Sequence, residues 1–218
     1  MYRFFVQPQI NVATQKLAGY ELLLRSSHHD YWVTPTNFTA VSMAQQMVLS
    51  HREITNILRD HPNNPQISFN LNREQFNDQE TIGHLISLKK SVPGLHLIIE
   101  LTEAPSLSEV HRFAALYKAY DIELSLDDVG TDNPWTSAVR EILPFMDTIK
   151  FALQNFRRQH RQSEIHNSLQ TWRDVADLYH LGLTVEGIED QSDVALAEKY
   201  RAQTTQGYYY SKPVPYCG

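Results

Sequence analysis

Leu95-His96-Leu97-Ile98-Ile99-Glu100-Leu101 is a short apolar run, Ser106 to Tyr120 is a longer helical pattern, and Ile122-Glu123-Leu124-Ser125-Leu126 is a second apolar run, followed by Asp127-Asp128. Such runs predict buried strands, and strand, helix, strand in succession predicts a parallel βα unit. The alternation extends both ways. Further strands are expected at Gln66 to Leu71, Thr148 to Phe151, Leu183 to Val185 and, more weakly, Ala202 to Thr205. Helices are expected at Gln79 to Lys90, Trp135 to Ile142, Arg161 to Tyr179 and Gln191 to Tyr200. Towards the N-terminus, Phe4 to Val12 and Leu17 to Arg25 flank Ala13-Thr14-Gln15-Lys16 and predict a β-hairpin. Thr34-Pro35-Thr36 then predicts the start of a helix over residues 37–49, capped by Thr34 or Thr36, with a further helix from His51 to Arg59 stopped by Pro62-Asn63-Asn64-Pro65. About eight strands in this order predict an α/β fold, a modified TIM-type (β/α)8 barrel with an irregular first strand. A doubly wound open sheet is the competing arrangement.

The 218 residues, at about 150 per domain, predict one domain over 1–218, with no linker or low-complexity segment inside it. With 42% hydrophobic and 20% charged residues the chain reads as globular, and no window approaches the ~18 consecutive apolar residues of a membrane span. The apolar run Phe4-Phe5-Val6 is too short for a signal-peptide core, and Cys217 as the sole cysteine excludes an intrachain disulfide and a cysteine-built zinc site. A cytoplasmic protein without a membrane partner is therefore expected. A net charge of −6 opposes duplex nucleic acid as a partner. No two of the 8 glycines are spaced as G-x-G, and Gly182 with Gly187 is followed by Ile188-Glu189 where a phosphate loop requires Lys-Ser/Thr.

The expected strands end in polar residues: Glu21, Asn70, Glu100, Asp127-Asp128, Lys150, Glu186 and Gln206. Almost every one comes from a new βα unit, so all can converge at the barrel's C-terminal mouth, where such folds place their chemistry. Carboxylates removed from water together must be paired or must bind cations. Oxygen ligands without histidine or cysteine favour Mg²⁺ or Mn²⁺, and adjacent Asp127-Asp128 suit a pair of ions about 3.5–4 Å apart. Taken singly, each residue has a blander reading. Glu21 or Glu186 could cap a helix, Asp127-Asp128 before Gly130 could be turn chemistry, Lys150 could be an exposed lysine and Gln206-Gly207 a turn. Their joint placement favours a site. His28-His29-Asp30 reads as a solvated loop, Arg157-Arg158 with His160-Arg161 as a solvated helix face, and Tyr208-Tyr209-Tyr210 as core packing.

The strings resemble the EAL domain family, bacterial phosphodiesterases that hydrolyse cyclic di-GMP to linear pGpG. The likeness rests on Gln7-Pro8, Glu21-Leu22-Leu23-Leu24-Arg25, Phe69-Asn70-Leu71-Asn72, Glu100-Leu101-Thr102-Glu103, Asp127 to Asp132, Ile149-Lys150, Val185 to Glu189, and Gln206-Gly207-Tyr208 through Lys212-Pro213. It implies that Glu21, Asn70, Glu100 and Asp127 hold one metal, and Asp127, Asp128 and Glu186 the other. It further implies that Lys150 holds the attacking water, Glu103 and Glu189 brace the site, and Gln206 contacts water at the metals. Gln7 and Arg25 would meet cyclic di-GMP, Arg25 at a phosphate. Mg²⁺ or Mn²⁺ would support turnover and Ca²⁺ would inhibit it. A homodimer is compatible with the family. The departures are Leu22 for Ala, Asn72 for Ser, Val129 for Phe, Asp132 for Gly, and Phe151-Ala152 for Ile-Asp. No expected direct ligand is lost, so the resemblance implies an active phosphodiesterase. The alternative is a weak or inactive domain that senses cyclic di-GMP or binds a protein.

Overall fold

The computed structural model describes residues 1–29, 31–36, 40–61, 63 and 65–217. The expected hairpin is β1 (Tyr2–Asn11) and β2 (Leu17–His28), with Gln7 opposite Glu21 and the turn tightened by Thr14 N–H donating to Asn11 Oδ1 at 2.9 Å. A short β3 (Tyr31–Val33) folds back on the end of β2. The rest follows as α1 (Met43–Asp60), β4 (Gln66–Leu71), α2 (Arg73–Asn77), α3 (Gln79–Ser91), β5 (His96–Leu101), α4 (Leu107–Ala119) and β6 (Ile122–Leu126). Then come α5 (Ser137–Ile142), β7 (Thr148–Ala152), α6 (Leu153–Arg158), α7 (Ile165–Tyr179), β8 (Gly182–Glu186), α8 (Gln191–Lys199) and β9 (Thr204–Gln206).

Strands β2 and β4 to β9 run parallel in chain order, and β1, antiparallel to both β2 and β9, closes them into an eight-stranded barrel with β3 outside it. The irregular first strand is thus β1. Period-2 alternation divides each strand between two environments. Ile67, Phe69, Leu71, Leu97, Ile99, Leu101, Leu124, Leu126, Ile149, Phe151, Leu183 and Val185 point out beneath the helices and are at most 2% exposed. The intervening residues face the lumen, which is polar where branched aliphatics usually fill it. Gln9 Nε2 donates to Ser68 Oγ at 3.1 Å and Gln66 Nε2 to Gln9 Oε1 at 2.9 Å, although β1 and β4 are not neighbours. Such bonds satisfy polar groups that the lumen removes from water.

Several local expectations are corrected. The two helices expected over 37–49 and His51 to Arg59 are one helix, α1, starting later with Ser42 as its cap. Residues 37–39, 62 and 64 lie outside the described residues, as does Asp30 of the histidine run. Ser50, between the two expected helices, is buried inside α1 with its hydroxyl on Met47 O at 3.0 Å. His28 and His29 are exposed as expected, and a left-handed His29 (φ 54°) brings their Nδ1 atoms to 3.0 Å. Helices α2 and α6 and strand β3 are too short to show a period. Of these, α2 does carry a capping box, with Asn72 accepting from Gln75 N at 2.8 Å. Asn72, which the resemblance sets in place of a serine, is therefore a helix cap.

Candidate active site

The lumen residues at the carboxyl ends of the parallel strands form one acidic mouth. Glu21 lies inside the long β2 rather than at its end, level with Ser68, and Lys150 lies in the middle of β7. Glu21 is 6% exposed; its Oε1 accepts from Asn70 Nδ2 at 2.6 Å and its Oε2 from Gln206 Nε2. Gln206 Nε2 also donates to Gln7 Oε1 at 2.9 Å, and Gln7 Nε2 donates to Ser211 O at 3.0 Å. Gln7 lines the cavity, and its amide holds Gln206 in place.

Lys150, 2% exposed, stands among the carboxylates. Its Nζ is 2.5 Å from Glu100 Oε2, 2.5 Å from Glu186 Oε1 and 3.5 Å from Asp127 Oδ1. The Glu186 contact is an ion pair without hydrogen-bond alignment, so Glu186 Oε1 accepts no hydrogen bond. Asp127, Asp128 and Glu186 each offer an oxygen within 4.8 Å of the others. Gln206 Oε1 and Gln154 Oε1, also at this mouth, are buried without a hydrogen-bond partner among the described residues. Clustered hard oxygens with unused lone pairs fit divalent Mg²⁺ or Mn²⁺ and do not fit a metal that needs nitrogen or sulfur.

The backbone is bent to present these groups. Asp128 is left-handed (φ 50°), a conformation that costs a side-chain-bearing residue roughly 1–2 kcal/mol. Gly130 (φ 87°) follows, where an added Cβ would lie 2.9 Å from Trp172 Nε1. After β8, Gly187 (φ 71°) turns the chain away from Glu186, and its carbonyl accepts from Arg157 Nη1 at 2.7 Å. Arg157 is no solvated face residue, because its other nitrogen pairs with buried Asp193. Asn133, Asn155 and Arg157 all support the mouth and escaped sequence reasoning: Asn133 reads as part of a turn, and α6 has no side-chain cap to announce it.

Not every anticipated residue joins the cluster. Glu103 is exposed and has no hydrogen bond or ion pair among the described residues. Glu189 sits exposed at the rim, 3.5 Å from Arg157. Arg25 is half-buried and donates to Leu24 O at 3.0 Å. Burial pulls its pKa down against the opposing pull of Glu21 and Tyr208, yet an arginine stays charged. Tyr208, expected in the core, is 62% exposed beside Lys212, because the turn after β9 sends the three tyrosines in different directions. Two cavities meet at Glu21, Arg25 and Asp127: one of about 360 Å³ reaching Asp128, Glu186 and Tyr208, and one of about 410 Å³ reaching Phe4, Phe69 and Gln75.

Burial pushes Glu100 up to about 8 and Asp128 up to about 7, with Glu21 and Asp127 adding to the first and Asp127 to the second. Glu186 is raised well above the usual carboxylate range and Asp127 is raised, both by burial. For Glu21, burial is outweighed by the Lys150 charge and the Asn70 and Gln206 hydrogen bonds, so its pKa falls. Carboxyls raised in the folded state contribute stability below their unfolded pKa that is lost as pH climbs through the folded value. In EDTA, thermal midpoints should therefore fall between about pH 5 and pH 8, and Mg²⁺ at pH 8 should reverse the fall. A flat profile in EDTA would contradict the clustering.

A model of the EAL domain family matches residues 2–213. An Escherichia coli (strain K12) protein, "Probable cyclic di-GMP phosphodiesterase PdeD", is 26% identical over 98% of this chain, which spans only 42% of that relative. An EAL domain protein from Listeria monocytogenes EGD-e has the same fold, with a TM-score of 0.80 at 18% identity over 98% of this chain and 89% of that one. So has the Bacillus subtilis YkuI protein, solved in complex with substrate c-di-GMP and calcium, with a TM-score of 0.79 at 19% identity over 100% of this chain and 57% of that one. By its sequence and its barrel, this chain belongs to the EAL domain family.

Proposed function

We propose that this chain hydrolyses cyclic di-GMP to linear pGpG at this mouth, with two divalent cations, Mg²⁺ or Mn²⁺. The observation that carries the reading is the convergence of Asp127, Asp128 and Glu186 beside Lys150 and the Glu21, Asn70 and Glu100 group. Glu21, Asn70, Glu100 and Asp127 would hold one cation, and Asp127, Asp128 and Glu186 the other. Bound there, such cations make water nucleophilic near neutral pH and neutralise phosphoryl charge.

The chain's own groups orient the reaction. Asn70 and Gln206 hold the Glu21 carboxylate, and Gln7 holds Gln206. Arg25, where the two cavities meet, receives a phosphate of the substrate, with Gln7 beside it. Lys150 holds the attacking water and balances the carboxylates around it. Glu189 supports the rim. Glu103 would brace the site from the loop after β5. The protein acts in the cytoplasm, and sedimentation tests the homodimer that the family resemblance allows.

Incubating the purified chain with cyclic di-GMP and Mn²⁺ and resolving the products tests the reading. pGpG is expected with Mn²⁺ or Mg²⁺ and none with EDTA. Ca²⁺ should allow binding without turnover, since it prefers 6–8 oxygens at about 2.3–2.6 Å and would misplace the nucleophile relative to phosphorus. Equal turnover in Ca²⁺ and Mg²⁺ would remove the two-cation mechanism. Binding without turnover in every metal would favour the sensor reading, which buried Ala152 supports by lacking a carboxylate beside Glu186.

A further inference from the structure

We propose that Asn133 and Asn155 are the positioning residues of the Asp127-Asp128 pair, tying the turn after β6 to the segments that follow β5 and β7. The proposal rests on the cation-dependent reading of this mouth. Asn133 is 3% exposed and fully used. Its Nδ2 donates to Asp127 O at 2.7 Å and to Thr102 O at 3.2 Å, while its Oδ1 accepts from Ala104 N at 2.9 Å. Its main chain donates to Asp128 O at 3.1 Å and accepts from Gly130 N at 3.0 Å. A side chain that gives two hydrogen bonds and takes one must be an amide; a carboxylate would face two carbonyl oxygens.

Asn155, 4% exposed, donates from Nδ2 to Asp128 Oδ1 at 2.7 Å and lies 3.3 Å from Thr131 Oγ1. A neutral donor on one oxygen fixes the rotation of Asp128 without adding charge beside Asp127. Together the two amides hold the left-handed Asp128 and Gly130 in a turn they would otherwise leave. Glu103, next to Ala104, is exposed and without a partner among the described residues, so the joint between the two loops is made by Asn133. Partners that orient metal ligands typically govern affinity by 10–100-fold.

The test compares the full chain with Asn133→Ala and Asn155→Leu by Mn²⁺ titration calorimetry and by amide hydrogen exchange over residues 102–104 and 127–133. Both variants should bind Mn²⁺ about 10–100-fold more weakly and lose more in kcat than they change in KM. Asn133→Ala should speed exchange in both segments at once. Asn155→Ser, which keeps a donor, should recover part of the affinity, and it serves if Asn155→Leu does not fold. Folded variants with wild-type Mn²⁺ affinity would overturn the proposal and leave the functional reading standing. If the wild type itself binds no Mn²⁺, the functional reading fails, and exchange alone decides: unchanged rates in Asn133→Ala overturn the brace.

Discussion

Glu21→Ala should abolish pGpG formation, by roughly 10³-fold or more, while the barrel stays folded. The loss is large because electrostatic stabilisation is commonly the leading catalytic contribution, and one preorganised group can be worth ~10²–10³ in rate. Glu21 does more than donate one oxygen pair. It is the shared acceptor for Asn70 and Gln206, so its removal also frees the Gln206 to Gln7 link that shapes the cavity wall. The fold should tolerate this, since Glu21 lines a cavity with room for water in place of the carboxylate and β2 keeps its ladders to β1 and β4. Circular dichroism with a product assay checks both halves, and wild-type turnover in a folded variant would remove Glu21 from the site.

The effect of Lys150→Ala should appear in stability as well as in rate. Taking one partner from a buried ion pair costs about 3–5 kcal/mol, since the remaining charge loses its compensation. Here Glu100, Glu186 and Asp127 would all lose it. In EDTA the thermal midpoint should drop by roughly 10 °C, more at pH 8 than at pH 6 because the raised carboxyls can take up protons at the lower pH. Mn²⁺ should restore much of the midpoint without restoring turnover, and kcat should fall far more than KM rises. An unchanged kcat with a raised KM would make Lys150 a substrate contact, and an unchanged midpoint would deny it the charge-balancing role.

Much of this was legible in the chain. The apolar runs from Gln66 onward became β4 to β9 within one or two residues, because strands buried under helices carry little but apolar outward positions. The polar strand residues announced the mouth for the complementary reason: a carboxylate in a strand is costly unless something at the barrel end uses it. What escaped depends on distance in sequence. Nothing near Asn133 says that its amide meets Thr102 and Ala104, and nothing near Arg157 names Asp193. Tyr208 was misjudged because consecutive tyrosines look uniformly apolar, whereas a turn gives each its own surroundings. The two expected helices are one because Ser50 between them bonds to its own helix and leaves the chain unbroken.

Because β1 alone among the barrel strands runs against its neighbours, its first residue lies at the rim of the acidic mouth, with Met1 O accepting from Ser27 N beyond Arg25 on β2. In an all-parallel barrel the amino end lies at the opposite floor. A tag, linker or regulatory module joined ahead of Tyr2 is therefore delivered to the doorway of the acidic mouth. There a segment of a few residues would stand beside the entrance itself, with no signal needing to be relayed through the barrel wall.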